Sequence, residues 1–359
     1  MNILDQAKQR ITDKNLLDGA FSDERIKASD KRIINGTSDV NQIVPIKYEW
    51  AWQKYLDGCA NNWMPNEISM QKDIQQWKSD SILTPAEKHI VSTALGFFST
   101  ADTLVANNLV LAVYERITAP ECRQYLLRQQ FEEGMHAHAY QYCIESLGMD
   151  QEKTFNQYRE VPEMAAKMSW ANQATKALQD KNSDDGDFLC NLIAYYVVVE
   201  GIFFYCGFPT VLSLGRRNLM GGVAEQFQYI LRDESMHLNF GIDCINQIKN
   251  ENPHLWTEAL KQRVFNLIIE GLQLELDFSR LMLPSGVLGM NFDMISDYLK
   301  YIVNRRLMQI GLDQVDEWSR IENPLPWMSE MMDLRKEKNF FETKVLEYQG
   351  SGALSWEDF

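Results

Sequence analysis

The chain has 359 residues, a net charge of −15 and a pI of about 4.9. That sign excludes a nucleic-acid coat, which needs cations against the phosphate backbone. Hydrophobic residues make up 45% of it, which excludes a chain disordered throughout; at this length one long helical bundle can hold the core.

The N-terminal text MNILDQAKQR has no apolar signal core. The longest apolar text, around 193–208, carries Glu200 and lacks the length and flanks of a lone membrane span. No membrane partner is expected. Cys59, Cys122, Cys143, Cys190, Cys206 and Cys244 form no CxxC pair, and several sit in apolar helical text. They read as reduced, buried thiols in a cytoplasmic protein.

Taken in order, residues 1–40 are polar and weakly periodic, and read as a loosely attached arm. Ile43 to Trp63 is aromatic text ending in the turn Asn62-Trp63-Met64-Pro65. Gln71 to Lys78 reads as a short helix. Thr84-Pro85-Ala86-Glu87 supplies an N-cap, a proline at the first helical position and a glutamate at the third. It predicts a long helix to about Thr118. Pro120 opens a second, to Gly148. The segment 150–185 is more polar and ends in a loop. Further helices are predicted over about 187–213, 221–249, 253–281 and 292–311, with short segments after Pro324 and Pro326. No strand-length alternation appears, so the expected fold class is all-α with long helices.

Within these helices, Glu133-Gly134-Met135-His136 is echoed by Glu234-Ser235-Met236-His237. A Glu and a His three apart lie on one helical face, about one turn from each other. Two such pairs on facing helices, with one more carboxylate from each of two other helices, make the di-metal site of ferritin-like bundles. Asp102 and Glu200, each isolated in apolar helical text, are the two candidates. Acids are almost never buried unless paired or ligated, and no basic residue lies near either in sequence.

A single Glu-x-x-His is usually a solvated surface pair; two copies in apolar helices are not. Asp102, Glu133, Glu200 and Glu234 carry four negative charges, matched by two divalent ions. Carboxylate with imidazole suits iron or manganese rather than a closed zinc site. Glu132 and Asp233 also share a face with the histidines, four residues before them. Only Glu133 and Glu234 fit the pattern in both copies. Glu132 is therefore read as a solvated acid, and Asp233 as the acceptor of a ligand histidine's proton. Tyr140 lies one turn beyond His136; Phe204, Phe208 and Ile230 are placed to wall it. His138 is read as structural or solvated.

The chain closely resembles the small, radical-generating (beta) subunit of class I ribonucleotide reductase. The resemblance runs from about Val40 to the end. It rests on Asn61-Asn62-Trp63-Met64-Pro65, Gly96 to Asp102, the Glu133–Tyr140 block, Glu200-Gly201-Ile202-Phe203-Phe204, Arg232 to His237, Tyr301 to Leu307, and Asn339-Phe340-Phe341-Glu342. It implies a ferritin-like domain over 41–342 and a C-terminal tail over 343–359. By motif, Asp102, Glu133, His136, Glu200, Glu234 and His237 match the metal ligands, and Tyr140 matches the radical tyrosine. Trp63, Asp233 and His136 match the relay that passes the radical outward, and Tyr348 matches the mobile relay tyrosine. The last residues match the segment that docks into the large subunit. The resemblance further implies a homodimer, dioxygen for activation and an electron donor. The text from Asn339 onward is similar to a branch with a manganese–iron pair and phenylalanine at the radical position. Because this chain has tyrosine there, the di-iron, tyrosyl-radical type is expected, with manganese–iron as the rival. A ligand-binding oxidase would need an open cavity beside the metals, and a ferritin-like iron store would lack the Trp63–Asp233 relay.

Overall fold

In the computed structural model, residues 26–36, 42–108, 112–180 and 182–333 are described. The expectations for Tyr348 and for the tail over 343–359 lie outside these residues. Among the described residues there is no strand, only an isolated bridge between Val287 and Met290. The architecture is an all-α, ferritin-like bundle. The helices used below are α1 (Glu49–Ala60), α2 (Gln71–Lys78), α3 (Pro85–Asn108), α4 (Pro120–Leu147), α5 (Gln151–Glu160), α6 (Pro162–Leu178), α7 (Asp185–Ile193), α8 (Gly207–Gly215), α9 (Gly221–Glu251), α10 (Glu258–Met282), α11 (Phe292–Gln309) and α12 (Pro326–Asp333).

The helix starts follow from local chemistry. Before α3, Thr84 N donates to Glu87 Oε2 at 2.8 Å, and Glu87 N donates to Thr84 Oγ1 at 3.2 Å. This reciprocal box satisfies two otherwise orphaned amides. Asp184, Thr257 and Asn291 cap α7, α10 and α11 by accepting from the amides three residues on. Pro120 occupies the first position of α4, and Gly148 ends it with φ 67°, a left-handed conformation that glycine adopts without strain.

The structure departs from the sequence reading in three places, none of them in the first long helix. The first long helix is described to Asn108, and Ala112 to Arg116 is again helical, in π and then α winding, before Ala119 turns extended ahead of Pro120. The polar segment 150–185, to which the sequence reading assigned no helix ahead of its terminal loop, forms α5 and α6, which pack on the outside of the bundle. The helix expected over 187–213 is broken: α7 passes into a π-helix, Ala194–Val199, then into turns over 200–206, then into α8. Its uniform burial leaves no polar face to betray the break. The arm is attached over 26–36: Ile33 and Ile34 are buried, and the Lys31 ammonium meets Glu121 at 3.0 Å.

The core sits between α3, α4, the α7–α8 segment and α9, with α10 covering it. All of 188–214 is buried. Five of the six cysteines are buried, Cys59 is exposed, and all are free thiols. No helix among the described residues is long and apolar enough to cross a membrane.

Candidate metal centre

α4 brings Glu133 and His136 to the bundle axis, and α9 brings Glu234 and His237 to face them. α3 contributes Asp102, and Glu200 is the first residue after the π-helix. All six are buried. They form two groups. Asp102, Glu133, His136 and Glu234 each offer a donor atom within 4.8 Å of the others, and so do Glu133, Glu200, Glu234 and His237. Glu133 and Glu234 belong to both.

The imidazoles point inward through Nδ1. His136 Nδ1 lies 3.0 Å from Glu234, 3.6 Å from Asp102 and 3.7 Å from Glu133. His237 Nδ1 lies 3.3 Å from both Glu133 and Glu234. Both oxygens of Asp102 and of Glu133, one oxygen each of Glu200 and Glu234, and His136 Nδ1 are buried without a hydrogen-bond partner. Such atoms are costly to bury unless something satisfies them. No Lys or Arg pairs with these four carboxylates among the described residues. A donor set of carboxylate oxygens and imidazole nitrogens, unpartnered and converging, fits a pair of divalent ions.

Electrostatics agree. Burial, then the charges of Glu234 and Glu133, push Asp102 and Glu200 well above the usual carboxylate range. Burial acts on Glu234 in the same direction, but His237 and His136 outweigh it and hold its carboxyl below that range. Burial alone would depress both histidines; the surrounding carboxylates raise them instead. Without cations, the cluster can lower its charge only by taking up protons.

Around this centre lies a layer that the sequence reading found in part. His136 Nε2 is 3.2 Å from Asp233 Oδ2, and His237 Nε2 is 2.8 Å from Glu132 Oε2. Each histidine is thus oriented by the acid preceding the glutamate on the opposite helix. The reading of Glu132 as solvated is corrected: it is buried and also meets Arg128 Nε at 2.9 Å. The doubled pattern, an acid immediately before each Glu-x-x-His, was the signal that could have found it. Arg128 reaches the backbone oxygen of Asn61 at 3.1 Å, and the Asn61 amide donates to Asp233. The two acids therefore share one frame.

Trp63 Nε1 donates to Asp233 Oδ2 at 2.9 Å, and the indole stacks near His136, with ring centroids 6.4 Å apart. Trp63, Asp233 and His136 are brought together as expected. Tyr229, which the sequence reading missed, stacks on Trp63 with ring centroids 5.2 Å apart; it lies four residues before Asp233, on the same helical face.

Tyr140 is fully buried, and its hydroxyl interacts with Asp102 without reaching full hydrogen-bond geometry. Burial raises its pKa first, and the charges of Asp102 and Glu234 add to this. The ring neighbours of Tyr140 are Phe98 at 5.6 Å and Phe227 at 5.7 Å. Phe204 and Phe208, expected as its wall, pack behind Phe98 at 5.3 and 5.2 Å, and Ile230 is buried on α9. Phe98 lies one turn before Asp102 and Phe227 two turns before Glu234, so ligand-face spacing could have revealed both. His138 is half-buried and outside the cluster.

Residues 40–323 match the model of the family described as ribonucleotide reductase, small chain. The chain is 50% identical to the Chlamydia pneumoniae ribonucleoside-diphosphate reductase subunit beta, over 95% of this chain and 99% of that one. It is 32% identical to the human ribonucleoside-diphosphate reductase subunit M2, over 87% of this chain and 76% of that one. Among solved structures, it superposes on the ribonucleotide reductase R2 subunit from Clostridium botulinum with a TM-score of 0.77 and 29% identity, covering 84% of this chain and 94% of that one. The chain belongs to the ribonucleotide reductase small-chain family, as a small subunit of ribonucleoside-diphosphate reductase.

Proposed function

We propose that this subunit holds two metal ions per chain and uses dioxygen to make and store a radical on Tyr140 for a large subunit. The observation that carries the reading is the pair of donor groups sharing Glu133 and Glu234. Asp102 and His136 would hold one ion, Glu200 and His237 the other, and Glu133 and Glu234 would serve both. When bound, the ions supply the oxidising power, drawn from dioxygen, that removes one electron from Tyr140. Iron in both positions is the favoured loading, because tyrosine is present at the radical position; manganese–iron is the rival.

The chain's own residues do the rest. Asp233 and Glu132 fix the ring orientation of the histidines by accepting at Nε2. Phe98 and Phe227 keep water and reductants from the Tyr140 ring, with Phe204, Phe208 and Ile230 behind or beside them. Oxidation of a phenol raises its acidity, so its proton must leave; the Asp102 carboxylate, whose charge already bears on Tyr140, is the acceptor within the site. Trp63, Asp233 and His136 form a continuous contact path from the surface side of the bundle to the centre. We assign the onward step to Tyr348 and docking on the large subunit to the C-terminal residues. A homodimer is proposed because Leu127 and Phe131, one turn apart on α4, are 50% and 51% exposed. The free thiols support a reducing, cytoplasmic setting.

The experiment is metal analysis of the purified protein. Two ions of iron, or of iron and manganese, per chain support the reading. A protein that takes up neither metal on anaerobic titration contradicts it.

A further inference from the structure

The broken segment after the π-helix holds its shape through side chains that come from three other elements. Over 200–206 the backbone leaves the regular ladder. The carbonyl of Gly201 accepts from Arg306 Nε of α11 at 3.2 Å. The carbonyl of Phe203 accepts from Lys167 Nζ of α6 at 2.8 Å, and the amide of Cys206 donates to Glu275 Oε1 of α10 at 2.8 Å. Lys167 and Glu275 are fully buried and pair at 2.5 Å. The ammonium also sits 3.7 Å from the centre of the Phe97 ring and 4.0 Å from that of Phe278. At Gly201, a Cβ would lie 2.5 Å from the Val197 carbonyl oxygen, so no other residue allows this path without a backbone shift.

A buried ion pair is a poor way to stabilise a fold. Replacing both partners by apolar groups of similar size is often neutral for stability. The pair does something apolar groups cannot: it supplies a donor and an acceptor to backbone atoms that no helix satisfies. Those atoms lie three to six residues after Glu200.

We propose that Lys167, Glu275 and Arg306 are positioning residues for Glu200, clamping the turn after it so that its carboxylate stays beside Glu133, Glu234 and His237. The inference rests on Glu200 being a metal-holding residue. It concerns affinity for one ion of the pair, because Glu200 belongs to only one donor group. The other group, with Asp102 and His136, is built from α3, α4 and α9; α3 meets the clamp through the Phe97 ring, and among the described residues neither Asp102 nor His136 pairs with a clamp residue.

The test uses the full-length, metal-free protein titrated with manganese(II), with free ion counted by spin resonance. In Lys167→Met/Glu275→Leu, helical content should persist and one ion should bind as in the unaltered chain. The second should bind about 10-fold to 100-fold more weakly, the usual cost of losing a group that orients a ligand. Arg306→Gln removes the third anchor without leaving a buried carboxylate behind, and should weaken the same ion. It decides the question if the double variant does not fold. Unchanged affinity for both ions in the folded variants overturns the clamp. An unaltered chain that fails to hold a second manganese ion overturns the metal reading of Glu200 itself, and the clamp with it.

Discussion

Glu132 and His237 lie 105 positions apart in the chain and meet at 2.8 Å, carboxylate oxygen to ring Nε2, inside the bundle. The contact ties α4 to α9 and leaves His237 Nδ1 as the nitrogen facing Glu133 and Glu234. Asp233 does the same for His136 in the opposite direction. The two helices therefore orient each other's histidines.

Changing Glu132 to Gln should keep a hydrogen-bonding group of the same shape while removing the charge that holds the imidazole. We expect the ion on the His237 side to bind about 10-fold to 100-fold more weakly, with the other little affected. Equilibrium metal titration checks this. Equal affinity for both ions would reduce Glu132 to a partner of Arg128 alone.

Glu234 sits in both donor groups, so Glu234→Ala should cost the pair rather than one ion. It also removes the carboxylate nearest to His136 Nδ1. Elemental analysis should find well under two ions per chain. Full occupancy would remove Glu234 from the ligand set.

That Asp102, Glu133, His136, Glu200, Glu234 and His237 cluster in the core was legible because a carboxylate in an apolar helix has few explanations, and because the Glu-x-x-His spacing recurs. What was not legible depends on tertiary pairing. Glu132 looked solvated because its partner lies on another helix and a single helix cannot show it. The π-helix before Glu200 was hidden because α and π windings of a wholly buried segment carry the same apolar text. The helices α5 and α6 were left unassigned because their text is polar and only weakly periodic until the bundle covers one face.

Phe98 touches Tyr140, stacks on Phe204 and meets Phe208 and Phe227 edge-on. Phe98→Ala should destabilise the fold by about 3–5 kcal/mol through the cavity it leaves. Chemical denaturation reads that cost. A radical formed on Tyr140 in this variant should decay faster, since water and small reductants gain access to the ring.

For the tail, deletion of the residues after Gly350 should abolish binding to the large subunit while leaving metal content and the Tyr140 signal unchanged. Tyr348→Phe should bind normally and fail to support nucleotide reduction, because phenylalanine has no hydroxyl proton to release on oxidation. Pull-down with the large subunit and a turnover assay separate the two effects. Normal turnover by Tyr348→Phe would mean that the radical leaves by another route.

The central claim is that Tyr140, walled by Phe98 and Phe227 beside the clustered carboxylates proposed to hold the metals, stores the oxidising equivalent. The most direct measurement is electron spin resonance of the metal-free protein after addition of ferrous iron and oxygen, for the unaltered chain and for Tyr140→Phe. The account predicts an organic-radical signal in the first and none in the second, with metal content equal in both. The same signal and full activity in Tyr140→Phe would contradict it, and would move the stored equivalent from the tyrosine to the metal pair.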